Sequence, residues 1–290
     1  ALSRPGGEMT PRKGSSMIRA LLLAAALGIA SAANAFDHGH AAWDALVKKH
    51  VKLVDGGRAS QVRYADFAKD RAALKAYLAA VSKVPQAEFD GWGKAERMAF
   101  LVNAYNAFTV ELILTRYPDL KSIRDLGNIV FNSPWKRRFF ILLGRETHLD
   151  EIEHGMLRKP GAYDEPRVHY AVNCASVGCP MLREEAFVAA RLEAQLEEQA
   201  RRFLSDRTRN RFSPQSGKLE VSEIFKWFKE DWTSGYRGLG GAGPVTSREQ
   251  YFARYAELLA DSPEHRRLVA EGRAPIAHLD YDWSLNAVGR

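Results

Sequence analysis

The segment from Lys94 to Tyr117 constrains the fold more than any other part of the chain. Its apolar residues lie on nearly all sides of a helix rather than along one stripe, and Pro118 follows directly. A helix that is apolar all round has to be buried, and a proline cannot continue it. The pattern therefore predicts a long central helix over residues 94–117, with the rest of the fold packed around it.

Two asparagines interrupt this apolar helix and need partners. Asn103 and Asn106 lie three positions apart, so they share a face of the helix. A buried amide is costly unless it is hydrogen-bonded. Either the two amides tie the helix to neighbouring loops, or they form the polar wall of a binding site.

The remaining periodicity predicts one helix-rich α+β domain over residues 36–290. Amphipathic helices are expected over residues 41–54, 64–84, 180–204, 223–232 and 248–260, and short strands within 128–150, at 167–173 and at 219–222. No repeat and no long linker divides this part of the chain. We therefore expect a single domain with a long buried central helix and a small antiparallel sheet.

Residues 1–35 have the pattern of an N-terminal extension followed by a signal peptide. From Met17, a basic start is followed by an apolar run of about a dozen residues and then by Ala33–Ala35, an Ala-x-Ala cleavage site. Cleavage there makes Phe36 the first mature residue. The later chain contains no second apolar run long enough to span a membrane. We expect a periplasmic or secreted protein without a stable membrane anchor.

The composition excludes several function classes. The net charge is +7 and the basic residues form no clustered patch, so nucleic acid is not an expected partner. Two cysteines are too few for a disulfide scaffold or a four-cysteine zinc site. We expect no metal and no cofactor, and the expected partner is a small-molecule or peptide ligand.

The reactive side chains concentrate in the stretch RVHYAVNCASVGCP. If its first half is a strand, His169 and Asn173 share one face, and Cys174 points to the other. Pro180 suits the first position of a helix, which would make Cys179 the N-cap residue. A thiolate at a helix N-terminus has a lowered pKa and is more reactive. The intervening turn would then bring Cys179 beside His169 or Asn173.

Three interpretations of the cysteines stay open. A Cys174–Cys179 disulfide would close a small ring in an oxidising compartment, which is worth about 2 kcal/mol by loop entropy. Alternatively, one of the cysteines is a nucleophile, as in thiol enzymes, and Cys179 is favoured over Cys174. His169 would then be the base and Asn173 the residue that orients it, with His154 as a rival base. In the third interpretation both thiols are unreactive and lie on a ligand-binding or interaction surface.

Two aromatic motifs near the C-terminus are expected to be structural. The near-helical spacing of the apolar residues in IFKWFKEDW is typical of a core helix. The motif HLDYDWSLN predicts a terminal strand whose Trp283 packs into the core.

Five motifs carry a family resemblance: NAYNAFTVELILTRYP, LDEIEHGMLR, RVHYAVNCASVGCPML, IFKWFKEDW and YDWSLN. In this order they resemble the family called domain of unknown function 547, over about residues 43–286. The resemblance implies an exported bacterial member of this family. It also implies a helix-then-strand order that is loosely similar to papain-like and transglutaminase-like enzymes. In those folds the nucleophile opens the central helix, whereas this central helix has no cysteine.

These patterns support two hypotheses for an exported envelope protein. The first is a thiol-dependent hydrolase or acyltransferase that uses Cys179 with His169. The second is a non-catalytic binding module with a Cys174–Cys179 disulfide or a thiol-adduct site. The catalytic candidates are Cys179, Cys174, His169 and Asn173. The candidate binding residues are Asn103, Asn106, Glu153 and His154.

Overall fold

A computed structural model describes residues 3, 6, 7, 35–127, 132–240 and 243–289. By internal contacts the chain divides into Ala1–Ala35 and Phe36–Arg290. The predicted signal peptide falls outside the described residues, apart from Ala35. In the described ranges, no helix is both long and apolar enough to cross a membrane.

The second unit is a mixed α+β structure. Its helices are α1 (Ala41–His50), α2 (Tyr64–Phe67), α3 (Arg71–Lys83), α4 (Gln86–Asp90), α5 (Lys94–Leu114), α6 (Val168–Ala171), α7 (Leu192–Leu204), α8 (Ile224–Trp227), α9 (Arg248–Ala253), α10 (Ala256–Leu259) and α11 (Pro263–Ala270). Its strands are β1 (Val51–Val54), β2 (Ala59–Val62), β3 (Phe140–Leu142), β4 (Arg145–Thr147), β5 (Arg211–Ser213), β6 (Lys218–Ser222) and β7 (Ile276–Leu279). A π-helical turn covers Glu151–Leu157.

Within the described ranges the strands form three small sheets rather than the single antiparallel sheet that the sequence predicts. β1 pairs with β2 and β3 with β4 in antiparallel hairpins. The third sheet has the order β5-β6-β7, in which β6 is antiparallel to β5 and parallel to β7. The parallel pairing joins segments that are far apart in sequence, since Leu219 pairs with Ile276. Such a pairing has no local turn motif from which it could be predicted.

The long central helix is confirmed as α5. Its residues from Met98 to Leu114 are buried, apart from the half-buried Glu111. The carboxylate of Glu96 accepts the backbone N–H of Gly93 at 2.8 Å, which satisfies one free donor at the start of the helix. The helix stops three residues earlier than the sequence predicts, and Pro118 follows.

The two asparagines of α5 are fully engaged with backbone groups. Asn103 donates to the carbonyl of Phe187 at 2.7 Å and accepts the N–H of the same residue at 3.0 Å. Asn106 donates to the carbonyl of Ala171 at 2.9 Å and accepts the N–H of Asn173 at 2.8 Å. Both amides thus tie the helix to the chain on either side of the cysteines.

Two predicted elements around the cysteines are wrong. Residues 167–173 contain the short helix α6 rather than a strand. No strand in the described chain lies beside them, and the N–H groups of residues 168–170 and 172 bond carbonyls three or four positions earlier. The helix predicted from Pro180 begins only at Leu192. Between these points, side chains bind the backbone and replace helical bonds: Asp44 accepts the N–H of Ala186, and Gln195 accepts that of Val188.

Replacing Asn103 by alanine tests the anchoring of the helix. Asn103→Ala leaves the buried N–H and C=O of Phe187 without partners, so we expect the free energy of unfolding to fall by about 2–4 kcal/mol. Urea unfolding measures this change. The control Gln86→Ala removes an exposed amide bond to Asp90 and should alter stability by less than about 0.5 kcal/mol. Equal effects of the two variants would contradict the anchoring role.

Candidate functional site

A cavity of about 220 Å³ lies where the cysteine segment meets α8 and the C-terminal tail. Cys174 and Cys179 line it from the loop after α6, and His169 lines it from α6 itself. Glu153 and His154 line it from the π-helical turn. The cavity therefore gathers five of the eight residues that the sequence singles out.

The other three candidates, Asn103, Asn106 and Asn173, do not line this cavity. The first two make the backbone bonds described above. Asn173 accepts the N–H of Ala175 at 3.0 Å and donates to the carbonyl of Pro180 at 2.8 Å. Its amide spans the base of the loop, so the three asparagines shape the site without facing it.

The cysteine loop is also held by the C-terminal tail. The N–H of Val177 donates to the carbonyl of Ser284, and that of Gly178 donates to the carbonyl of Asp282, both at 2.8 Å. A Cβ atom on Gly178 would lie 2.9 Å from the backbone nitrogen of Asp282, so only glycine permits this approach. Ala175 has φ of 62°, a left-handed conformation that disfavours a side chain.

The loop brings the two thiols into contact. The backbone N–H of Cys174 donates to the Sγ of Cys179 at 3.1 Å, and the thiols also hydrogen-bond each other. Both cysteines are free, so the predicted disulfide is absent from the structure. The Sγ of Cys174 lies 3.1 Å from the Oγ of Ser176 and 3.2 Å from the hydroxyl of Tyr281.

The two thiols differ in acidity. Hydrogen bonds from Cys179, Ser176 and Tyr281 lower the pKa of Cys174, although burial opposes ionisation. Burial raises the pKa of Cys179 well above that of a free thiol, and the neighbouring Cys174 raises it further. The expectation of an activated Cys179 at a helix N-terminus is therefore wrong, because no helix begins at Pro180.

His169 is fixed by a carboxylate that sequence reasoning missed. Its Nε2 lies 2.6 Å from Oδ2 of Asp231, which also accepts from Nε of Arg158 at 2.6 Å. Burial disfavours the charge of Asp231, but the bonds from His169 and Arg158 outweigh it and lower the pKa of Asp231 to about 2. The ring of Phe228 stacks on the imidazole at a centroid distance of 4.2 Å.

The second nitrogen of His169 faces another carboxylate. Its Nδ1 lies 4.0 Å from Oε1 of Glu153, which is also hydrogen-bonded by Tyr105. Burial and the charge of Glu153 raise the pKa of Tyr105, so its hydroxyl stays protonated and can donate. His154 lies nearer the surface, with Nδ1 2.7 Å from a guanidinium nitrogen of Arg158.

An aromatic wall completes the cavity. We give this name to Trp135, Trp227, Tyr281 and Trp283. The expectation that Trp283 packs into the core is wrong, because it is half-buried and contacts the other three rings at centroid distances of 4.5–5.9 Å. In the described ranges, no three His, Cys, Asp or Glu side chains converge as metal ligands.

The missed residues lie in motifs that looked purely structural. Asp231 is the last but one residue of IFKWFKEDW, and Tyr281 and Trp283 belong to YDWSLN. The one available signal was an acidic residue inside an aromatic motif. Both motifs begin 50 or more residues along the chain from Cys174, so spacing could not place them in the site.

Comparison with known proteins supports the resemblance over part of the chain. Residues 89–204 match the family "Protein of unknown function, DUF547". No curated protein and no solved structure matches the chain. The DUF547 match includes both cysteines, His169 and Glu153, and it ends before Asp231 and the tail.

The pH dependence of alkylation tests the acidity of Cys174. Only the thiolate reacts, so the rate rises as the pH passes the pKa of the thiol. We expect the midpoint for Cys174 to lie below that of free cysteine. Tyr281→Phe removes a hydroxyl that donates to the thiolate and should move the midpoint to higher pH.

Iodoacetamide labelling followed by peptide mass spectrometry measures both midpoints. Tyr255→Phe is the matched control, since its hydroxyl binds Glu197 at 3.0 Å outside this cavity. A midpoint equal to that of free cysteine would contradict the proposed stabilisation, as would equal shifts in the two tyrosine variants.

Proposed function

We propose that this protein is a thiol-dependent enzyme of hydrolase or acyltransferase type, with Cys174 as its nucleophile. The main supporting observation is that Cys174, which is hydrogen-bonded to two hydroxyl groups, lines the same cavity as His169, and His169 is hydrogen-bonded to Asp231. A nucleophile, a base and a group that orients the base are the usual parts of such a site.

The choice of Cys174 reverses the preference drawn from sequence. Cys174 is partly exposed and contacts three donors, whereas Cys179 is buried and its pKa is raised. In this proposal Cys179 is a positioning residue. It accepts the backbone N–H of Cys174 and hydrogen-bonds the neighbouring thiol.

The residues suggest a two-step acyl transfer. The thiolate of Cys174 attacks the acyl carbonyl carbon, a C–S bond forms, and the bond from that carbon to the leaving group breaks. Because Nε2 of His169 is engaged with Asp231, Nδ1 is the nitrogen that takes the thiol proton of Cys174 and then gives it to the leaving group. Water or another acceptor then attacks the thioester, gives its proton to His169, and releases Cys174 as a thiolate.

Acylation by p-nitrophenyl acetate tests this function. We expect the unaltered protein to release nitrophenolate and to gain one acetyl group on Cys174, seen by intact mass and peptide mapping. Cys174→Ala should lose both signals. Cys179→Ala should keep Cys174 as the acylated residue, with a lower rate because a donor to its thiolate is lost.

Three results would contradict the proposal. These are acetylation at Cys179 alone, full activity in Cys174→Ala, or no thiol-dependent release of nitrophenolate in a folded protein. Circular dichroism of each variant establishes that it is folded.

The fold remains expected to be loosely papain-like, although the nucleophile does not open α5.

A second candidate is a non-catalytic binding module that carries a thiol adduct. The observation that favours it is the contact between two free thiols. The Cys174 thiolate would attack one sulfur of a small disulfide, forming a mixed disulfide and releasing the other half as a thiol. Adduct formation with cystine, combined with no release of nitrophenolate, would favour this candidate over the enzyme.

We also propose that the protein acts in the periplasm or after secretion, on a small-molecule or peptide ligand. The signal-like segment that ends at Ala35 supports export. Phe36 begins the second unit and packs on Phe100 at a centroid distance of 5.1 Å. N-terminal sequencing of the protein expressed with its own leader should read Phe36 first. A start elsewhere would contradict cleavage after Ala35.

A further inference from the structure

The cavity around Cys174 is acidic, although the whole protein is basic. The chain has 42 lysines and arginines against 35 acidic residues. Asp150 and Glu153 both line the cavity, whereas no lysine or arginine in the described ranges does so. The carboxylates that line the cavity are therefore opposite in sign to the net charge of the chain, and the nearby guanidinium of Arg158 is paired with Asp231.

Glu153 differs from the other buried carboxylates of the described chain. The described chain has four buried carboxylates, and each of the other three is paired with an arginine: Glu165 with Arg167, Asp206 with Arg209 and Asp231 with Arg158. Glu153 is 8% exposed, and the described chain offers it only the Tyr105 hydroxyl and His169 at 4.0 Å. A buried carboxylate is costly without a cationic partner, and here the cavity lies where that partner would be.

The aromatic wall presents a second feature that attracts cations. Trp227 and Trp283 stack with an interplanar angle of 24°, and Trp227 is 43% exposed. Indole faces are negative and attract cations within about 6 Å of the ring centre. The guanidinium of Arg124, which does not line the cavity, already lies 5.2 Å from the ring centre of Trp283.

We propose that this cavity binds a ligand that carries a positively charged nitrogen, an alkylammonium group. Glu153 and Asp150 supply the opposite charge, and the aromatic wall supplies ring faces. The inference rests on the proposed function, since it names the substrate class of the same thiol site. A bound ammonium group gives Glu153 the cationic partner that the other buried carboxylates find in an arginine.

Three methanethiosulfonate reagents of different charge test this preference. The Cys174 thiolate attacks the sulfenyl sulfur of each, an S–S bond forms, and methanesulfinate leaves. The reagents carry a trimethylammonioethyl group, a sulfonatoethyl group or a neutral methyl group. Intact-mass time courses on the full chain give the rates, and each rate is divided by that of the same reagent with 2-mercaptoethanol.

We expect the corrected rate of the cationic reagent to exceed that of the anionic reagent by about tenfold or more. Glu153→Gln removes the charge while keeping the shape, and it should reduce this ratio several-fold. Glu151→Gln is the matched control, because it removes the same charge from the same π-helical turn without lining the cavity. Its ratio should match that of the unaltered protein.

Two further measurements keep the test decisive if Glu153→Gln does not fold. Asp150→Asn should also lower the ratio. In the unaltered protein the ratio should fall as salt is added, because ions screen charges at the cavity mouth.

The outcomes separate this inference from the proposed function. If the neutral reagent labels Cys174 but the charged reagents show equal rates, or the anionic one reacts faster, the cationic ligand class is wrong and the reactive thiol stands. If Glu151→Gln lowers the ratio as much as Glu153→Gln, the preference comes from overall charge and the inference is wrong. If no reagent labels Cys174 in the folded protein, both proposals are overturned.

Discussion

The amide of Asn106 holds the backbone on which the site is built. It bonds the carbonyl of Ala171 and the N–H of Asn173, so it fixes the chain on both sides of Val172. Since Asn106 lies on the buried helix α5, its two hydrogen bonds attach the loop directly to the core. His169 precedes this point and Cys174 follows it, so both belong to the stretch of backbone that Asn106 holds.

The sequence predicted those parts of the fold that local patterns specify. Apolar residues on every side predicted the buried helix α5. The free-energy cost of an unpaired amide inside such a helix predicted that its asparagines have partners. The α-helix predicted over residues 180–191 is absent from that segment. Its proline, leucine and glutamate residues suggest a helix, but the side chains of Asp44 and Gln195 bind its backbone instead. Competition of this kind between distant groups leaves no trace in local periodicity.

The site was predictable in its centre but not at its edges. His169, Glu153 and the cysteines stood out because reactive side chains cluster near them in sequence. Asp231 and three members of the aromatic wall, Trp227, Tyr281 and Trp283, come from the chain after the cysteines, and only the folding of that chain onto the loop brings them near. The pKa of Cys174 is lowered mainly by its neighbour Cys179 and further by Ser176 and Tyr281, of which only Tyr281 comes from the later chain.

The close approach of Gly178 to Asp282 makes the tail part of the site rather than an appendage. The tail delivers Tyr281 to the thiol and Trp283 to the cavity, while the DUF547 match stops at residue 204. Residues 89–204 contain both thiols and His169, whereas Asp231, Tyr281 and Trp283 lie beyond them. The thiol pair and most of the groups that surround it therefore come from separate stretches of the chain, and the contact between Gly178 and Asp282 is what joins the two stretches.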